Sequence, residues 1–172
     1  MPDVKHSAQI SLRPYSNGDW PQVFQIVQAI CEAGDTFCYP TELNEEQAKA
    51  IWLEEPPGPT IVAVDQSGRI VGTSHMSANR MGPGKHISTA SFMVASGYRN
   101  QGVGRLLVED ASNWARNRRF QGMQFNAVAE SNEGAIALYK SLGFRVIGTV
   151  PKGFDHPELG FVGLHIMFKS FS

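Results

Sequence analysis

The sequence has few cysteines and no long apolar run, and each absence excludes a class of protein. Its two cysteines, Cys31 and Cys38, are too few for the disulfide framework of a small secreted domain, so we expect reduced, buried thiols. No segment approaches the ~18 apolar residues of a membrane-spanning helix, and residues 1–9 lack the apolar core of a secretion signal. We therefore expect a cytoplasmic protein without a membrane partner.

An excess of positive charge and a metal-binding histidine pattern are also missing. The formal net charge is −1 and no basic run is longer than Arg118-Arg119, which gives no support for a nucleic-acid partner. The histidines are scattered without the spacing of metal ligands, so we expect no metal site. They are His6, His75, His86, His156 and His165.

The chain does have enough apolar residues to bury a core. Hydrophobic residues make up 42% and charged residues 18% of its 172 positions, a composition typical of one globular domain. The Pro/Gly-rich segments 54–59 and 81–84 are short and fit connections within a domain. We predict a single domain over residues 1–172.

The first half of the chain contains signals for one short strand and two helices. The strand is predicted at residues 10–14, and Asp19 is the expected N-cap of the helix that follows. Asn44 and Gln47 form a capping box, which predicts a second helix through about Leu53.

The rest of the chain alternates strands and helices. A helix begins near Val103, and another lies over 135–142 and ends at Gly143. Because strands alternate with helices here while residues 65–68 mark a hairpin, the pattern predicts a mixed sheet in a three-layer α/β or α+β domain. The strands are predicted at 60–64, 69–78, 86–94, 123–128, 144–150 and 161–168.

The strongest functional signal is Arg99-Asn100-Gln101-Gly102-Val103-Gly104-Arg105, which lies between an apolar strand and an amphipathic helix. The first amides of a helix lack intrahelical partners, and the helix dipole makes that end partly positive, so it binds phosphate well. Gly102 and Gly104 remove side chains where a phosphate approaches the backbone, and Arg99 and Arg105 add positive charge. The segment predicts a small anion site.

Other interpretations of this segment are a different nucleotide motif or a plain turn. The third glycine of a dinucleotide fingerprint would stand at Leu107, and the Gly-Lys-Ser/Thr of a P-loop is absent. The remaining alternative is a glycine-containing turn with incidental arginines.

Two blocks of the sequence resemble the signatures of the GCN5-related N-acetyltransferase (GNAT) superfamily. Arg-x-x-Gly-x-Gly between a strand and a helix resembles its acetyl-coenzyme A-binding motif. A second block is similar to its Asn-x-x-Ala-x-x-x-Tyr signature and the Gly-Phe turn that follows; it comprises Asn132, Ala135, Leu138, Tyr139, Lys140 and Leu142-Gly143-Phe144. The resemblance implies a three-layer α-β-α fold around a mixed, splayed sheet of about seven strands.

The resemblance also implies acetyl-coenzyme A as cosubstrate, direct attack of an amine on the thioester, and a role for each motif residue. Backbone amides of Gln101, Gly102, Val103, Gly104 and Arg105 would hold the pyrophosphate. Unpaired amides near Met93, Val94 and Ala95 would hold the pantetheine and polarise the thioester carbonyl. Asn132, Ala135 and Lys140 complete the expected cofactor contacts.

Tyr139 is the residue that we expect to act in catalysis. A phenol near the sulfur can protonate the leaving thiolate as a general acid, while the alternative for Tyr139 is a core aromatic residue. The general base stays open between His75, His86, Glu130 and water, because the strand that holds a Glu in many relatives has no carboxylate here.

A narrower resemblance concerns the acceptor. Segments 125–128, 150–152 and 156–162, together with Asn132, resemble the azetidine-2-carboxylate (proline-analogue) N-acetyltransferase group. This implies that Asn126 and the residue at Thr89 hold the substrate, although that group has Asn where this chain has Thr89. Phe37 and Tyr39 lie in an apolar loop that in the family often lines the acceptor pocket.

Three functions remain in view. The first is acetylation of a small-molecule primary or secondary amine, such as an amino acid or proline analogue. The second is acetylation of a protein N-terminus or lysine, and the third is an inactive acyl-coenzyme A-binding domain. The predicted strand 161–168 is apolar on both faces, and as an edge strand it predicts a homodimer.

Overall fold

The computed structural model describes residues 9–56 and 58–171. These residues form one mixed sheet of seven strands with helices on both faces, which confirms the predicted α-β-α layers. The strands are β1 (Ser11–Pro14), β2 (Thr60–Val64), β3 (Ile70–Ala78), β4 (Ile87–Val94), β5 (Gly122–Ala129), β6 (Arg145–His156) and β7 (Gly160–Ser170). The helices are α1 (Trp20–Ala33), α2 (Glu45–Trp52), α3 (Val103–Asn117) and α4 (Glu133–Ser141). His6 and the predictions made for residues 1–8 lie outside the described residues.

Each face of the sheet buries its own core. Helices α1 and α2 pack on one face, where Val23 and Trp52 are fully buried and Met93 of β4 faces them. Helix α3 packs on the other face through Leu107, and Val94 of β4 packs against this second cluster. Successive side chains of β4 therefore point alternately to the α1 layer and to the α3 layer.

The strand order is β1-β2-β3-β4-β5-β7-β6. Strand β7 lies between β5 and β6 and is antiparallel to both, so the expectation that residues 161–168 form an edge strand is wrong. Both edges of β7 are hydrogen-bonded to neighbouring strands, although only Gly163 and Met167 of this strand are buried. Strand β6 forms the edge, and it is longer than the predicted segment 144–150.

The sheet splays between β4 and β5, as the resemblance implied. These strands are parallel, and they pair only at Ile87 with Gly122 and at Ser88 with Met123. Further along, β5 pairs with β7 through an irregularity between Phe125 and Val128, which is a β-bulge. A gap therefore opens between β4 and β5 beyond their first residues.

The helix starts follow the sequence signals with one exception. Asn44 and Gln47 form the predicted capping box at α2. Asp19 occupies the N-cap position of α1, but its side chain does not cap the helix. Its carboxylate instead accepts hydrogen bonds from the Arg13 guanidinium at 2.7 Å and from the Ser16 amide at 2.7 Å. Among the described residues, no helix is both long enough and apolar enough to cross a membrane.

Candidate active site

A cleft of about 770 Å³ opens where β4 and β5 diverge. This volume lies in the range of small-molecule and cofactor sites. Residues of both strands, the N-terminal end of α3, helix α4 and the loop between α1 and α2 line it. Many of the residues predicted for the site line this cleft. They are Thr89, Met93, Val94, Arg99, Gly102, Gly104, Arg105, Asn126, Asn132, Ala135, Tyr139, Phe37 and Tyr39.

The N-terminal end of α3 presents free amides to the cleft. Gly102 is the N-cap residue with a φ of +84°, and no side chain caps the helix. The first helical hydrogen bond runs from the Leu106 amide to the Gly102 carbonyl at 3.1 Å. The amides of Val103, Gly104 and Arg105 precede it and lack intrahelical acceptors, so they suit a diphosphate.

Gly104 leaves room for a ligand beside these amides. A Cβ atom at this position would lie 3.4 Å from Leu138 of α4 and 3.9 Å from Val94 of β4. The missing side chain therefore widens the passage between α3, α4 and β4. The free amides, the glycines and the nearby guanidinium groups fit the diphosphate of coenzyme A.

The loop before α3 is anchored by contacts that the sequence analysis missed. The Tyr98 hydroxyl donates to Oδ2 of Asp65 at 2.7 Å, and hydrogen bonds from Ser67 and Tyr98 lower the pKa of Asp65 to about 2. Asp65 lies in the β2–β3 turn, so this bond ties the cofactor loop to the hairpin. Arg105 donates to Oγ of Ser141 at 2.8 Å, which links α3 to α4. No local motif indicates these long-range partners.

Only part of the predicted row of free amides in β4 is available. The Ala95 amide donates to the Val71 carbonyl at 2.9 Å, and the Ile87 carbonyl accepts from Asn79 at 2.8 Å. By alternation, the amides of odd-numbered β4 residues, including Met93, face β3, and those of even-numbered residues face the gap. The expectation of free amides at Met93 and Ala95 is therefore corrected, and Val94 is the member of that group whose amide faces the gap.

Helix α4 brings the second signature to the cleft. Asn132 is its N-cap and accepts from the Ala135 amide at 3.3 Å. The Tyr139 ring packs against Phe125 with centroids 4.6 Å apart and against Phe92 at 6.2 Å. Its hydroxyl makes no hydrogen bond to a described residue, and burial raises the pKa of Tyr139, so the group stays a protonated phenol. The phenol is therefore free to bind a ligand.

The far end of the cleft holds amide, hydroxyl and aromatic groups. Asn126 is exposed and lies within the β5 bulge, between Phe125 and Val128. Its Nδ2 donates to Oδ1 of Asn79 at 2.7 Å, and Gln124 donates to its Oδ1 at 2.9 Å. Asn79 is a further residue that sequence reasoning missed. Across the cleft, Phe37 and Tyr39 stack with ring centroids 5.5 Å apart.

Several predicted residues do not line the cleft with the others. Ala95, Gln101 and Lys140 are absent from its wall, and Val103 is buried in the core with Leu107. Gln101 instead donates from its side chain to the Gly97 carbonyl at 2.9 Å.

The three candidate bases also stand away from the cleft wall. His86 is exposed, with Nδ1 3.0 Å from the Pro83 carbonyl, and Glu130 accepts from the Gly163 amide at 2.8 Å. His75 is buried in β3 beside Glu54. No carboxylate and no imidazole lines the cleft within residues 9–56 and 58–171.

The two cysteines are free thiols with different surroundings. Cys31 is buried in α1 as expected. Cys38 is exposed and lines the cleft, so the expectation of a buried thiol is wrong for it. The loop between α1 and α2 turns its side chain toward the cleft, which residue type alone does not indicate.

Comparisons with known proteins agree with this geometry. A GCN5-related N-acetyltransferase from Kribbella flavida is 45% identical, with a TM-score of 0.90 over 94% of this chain and 97% of that one. A phosphinothricin acetyltransferase from Sinorhizobium meliloti, solved in complex with acetyl-coenzyme A, is 19% identical with a TM-score of 0.82 over 94% of this chain and 88% of that one. Streptothricin acetyltransferase from Streptomyces lavendulae is 30% identical over 95 residues, 55% of this chain and 49% of that protein.

A sequence model of one protein family covers more of this chain than the curated relatives do. The chain spans only 14% to 66% of the length of four curated relatives, so their activities as whole proteins do not transfer to it. The sequence model of the acetyltransferase (GNAT) family matches residues 20–144. The chain therefore belongs to the GNAT family of acetyl-coenzyme A-dependent N-acetyltransferases.

Proposed function

We propose that the protein transfers the acetyl group of acetyl-coenzyme A to a small-molecule primary or secondary amine, such as an amino acid or a proline analogue. The amine attacks directly, without a covalent enzyme intermediate, and we place the reaction in the cytoplasm. The observation that carries this proposal is the continuous cleft between the free amides of α3 and the neutral pocket near Asn126 and Tyr39. Holding two reactants side by side in one cleft makes their encounter effectively unimolecular.

Different residues along the cleft would bind the cofactor, stabilise the developing charge and protonate the leaving group. Bound acetyl-coenzyme A supplies an activated thioester. The amides of residues 103–105 would hold its diphosphate, and the Val94 amide, which faces the gap, would stabilise negative charge on the thioester oxygen. The Tyr139 hydroxyl would protonate the leaving thiolate. Asn132 would contact the cofactor while it caps α4.

A compact acceptor is supported by the walls of the pocket. The stacked rings of Phe37 and Tyr39 narrow one side, and Thr89 and Asn126 offer hydroxyl and amide groups on the other. Asn79 holds the Asn126 amide in one orientation, which suits recognition of a small polar group. We propose Thr89, Asn126, Phe37 and Tyr39 as the acceptor contacts.

Thiol release during mixing of acetyl-coenzyme A with single amines tests the proposal. The panel contains L-proline, phosphinothricin, streptothricin and a peptide with an N-terminal alanine. We expect turnover with at least one of the three small amines and none with the peptide. Turnover with the peptide alone would favour acetylation of protein N-termini, and tight coenzyme A binding without any turnover would favour an inactive binding domain.

We also propose that two copies of the chain associate through β6. This edge strand exposes half of Ile147 (51%) and of Val150 (49%), and Phe161 on β7 is 67% exposed. An exposed apolar edge strand readily pairs with a second copy.

Replacing both Ile147 and Val150 by lysine is expected to convert a dimer into a monomer, because charge on the edge opposes strand pairing. The measurement is the mass in solution at micromolar concentration. Met81→Lys is the matched control, because Met81 is 91% exposed in the loop between β3 and β4 and lies off this edge. A monomeric mass for the unaltered protein contradicts the proposal.

A further inference from the structure

The loop of residues 95–102, which joins β4 to α3, contains two residues in the left-handed backbone conformation. Asn100 has a φ of +60° and Gly102 has a φ of +84°. For Asn100 this conformation costs free energy, because its Cβ atom crowds the backbone. Such a conformation persists only where surrounding contacts impose it. The shape of the loop therefore depends on the contacts that hold it.

Most hydrogen bonds of this loop stay inside it. The Tyr98 amide donates to the Ala95 carbonyl at 2.9 Å, and the Gln101 side chain donates to the Gly97 carbonyl at 2.9 Å. Among the described residues, only the Tyr98 hydroxyl makes a hydrogen bond from this loop to the β2–β3 hairpin, and its acceptor is Oδ2 of Asp65 at 2.7 Å. This bond is the polar connection between the loop and the hairpin.

The β2–β3 turn fixes the orientation of the Asp65 carboxylate. Its other oxygen, Oδ1, accepts hydrogen bonds from the Ser67 amide at 2.9 Å, the Ser67 hydroxyl at 2.6 Å and the Arg69 amide at 3.1 Å. The Asp65 amide also donates to the Arg69 carbonyl at 2.9 Å, which closes the turn. Because Oδ1 is bound within the turn, Oδ2 is held in one position for the Tyr98 hydroxyl.

The ring of Tyr98 connects this hydrogen bond with the start of α3. It packs against the buried cluster that contains Val103 and Leu107, and the Arg69 guanidinium lies 6.0 Å from its centre. Val103 is the first residue of α3, and its amide is the first of the free amides at the end of the helix. Tyr98 lines the cleft, whereas Asp65 does not. Asp65 can therefore influence the cofactor end of the cleft only through its partners.

We propose that Tyr98 and Asp65 are positioning residues whose hydrogen bond holds the loop before α3 in the shape that presents the amides of residues 103–105 to the diphosphate of acetyl-coenzyme A. This deepens the proposed acetyl transfer and rests on it. Without the bond, the loop of the free protein has more conformations, and cofactor binding must order it at a cost in free energy. The bond acts on the diphosphate end of the cofactor, so the rate of transfer from bound cofactor should not depend on it.

Tyr98→Phe tests the proposal, because it keeps the packed ring and removes only the hydroxyl group. We expect the Kd of coenzyme A to rise about fivefold, a modest value because solvent weakens a partly exposed hydrogen bond to a charged group. Calorimetric titration measures this Kd. With the amine of the panel that reacts fastest, KM for acetyl-coenzyme A should rise by the same factor and kcat should stay unchanged. Unchanged affinity, or a lower kcat with unchanged KM, overturns the proposal.

Variants of the turn separate the bond from the stability of the hairpin. Asp65→Ala should weaken coenzyme A binding, and Asp65→Asn should weaken it less, because its amide can still bond to the Tyr98 hydroxyl. Ser67→Ala is the matched control, since it removes a hydrogen bond of the turn and leaves the bond to Tyr98, and its Kd should not change. An equal loss in Ser67→Ala would assign the effect to the turn and contradict the proposal.

The double variant shows whether the two residues act together. Once Tyr98→Phe has removed the bond, adding Asp65→Ala should change the Kd of coenzyme A less than Asp65→Ala does alone. Independent effects of the two substitutions would contradict a shared role. Thiol release by the unaltered protein tests acetyl transfer separately, because the calorimetric comparison needs no acceptor amine. Failure of the unaltered protein to bind coenzyme A overturns this inference as well.

Discussion

Replacing Gly102 and Gly104 together by valine is expected to weaken coenzyme A binding at least about 100-fold. Gly102 has a φ of +84°, a conformation that a β-branched residue adopts only with strain, so the loop before α3 must rearrange. A side chain at Gly104 enters the space beside Leu138 and Val94. Hydrogen bonds to charged groups contribute about 1.5–3 kcal/mol each, so loss of two of them accounts for the expected change. Calorimetric titration with coenzyme A measures it.

Single variants and a remote glycine separate loss of the site from loss of the fold. Gly104→Ala adds one methyl group in ordinary contact distance of its neighbours, so the fold should persist while affinity falls. Gly18→Val is the control, because a side chain there meets nothing within 4 Å and its φ is not positive. Its coenzyme A affinity should equal that of the unaltered chain. Unchanged affinity in the double valine variant would remove the physical basis for the cofactor site.

Local features of this protein could be predicted from its sequence. The capping box of Asn44 and Gln47, the β2–β3 hairpin and the glycine loop before α3 each depend on residues that are neighbours in the chain. Gly143 ends α4 with a φ of +91°, as a C-terminal glycine should. Such signals depend on residues close together in the chain, so they can be recognised without knowledge of the tertiary structure.

Properties that depend on strand order could not be predicted in this way. An apolar run over residues 161–168 fits an edge strand that awaits a partner and an interior strand equally well, and the hydrogen-bonding neighbours decide between them. The same holds for the amides of β4. Whether the backbone amide of Ala95 or that of Val94 faces the gap depends on the register of β4 with β3. The sequence of β4 alone does not determine this register.

Contacts between residues that are distant in the chain are a third feature that could not be predicted from the sequence. His75 and Glu54 are 21 positions apart, and their contact arises because α2 ends beside β3. Asn126 and Asn79 are 47 positions apart and meet at the acceptor end of the cleft. A sequence read one residue at a time identifies His75 and Asn126 as single candidates, whereas their partners determine what each can do.

Tyr139→Phe is expected to lower kcat about 100-fold with little change in coenzyme A affinity. The substitution preserves the ring contacts with Phe92, Phe125 and Phe144 and removes only the hydroxyl group. That hydroxyl has no described protein partner, so its loss should cost the fold little stability. If it protonates the departing thiolate, its loss appears in the chemical step, because general acid catalysis contributes about 10²–10⁴-fold. Thiol release at saturating acetyl-coenzyme A gives kcat.

The pH dependence of this variant distinguishes an acid from a core aromatic residue. Burial raises the pKa of Tyr139, so the phenol stays protonated through neutral and mildly alkaline pH, and the ratio of unaltered to variant kcat should stay constant there. Tyr15→Phe is the control, because Tyr15 packs against the α1 core and does not line the cleft. Equal kcat for Tyr139→Phe and the unaltered protein shows that Tyr139 serves packing alone and that the thiolate takes its proton from another source, of which water is the simplest.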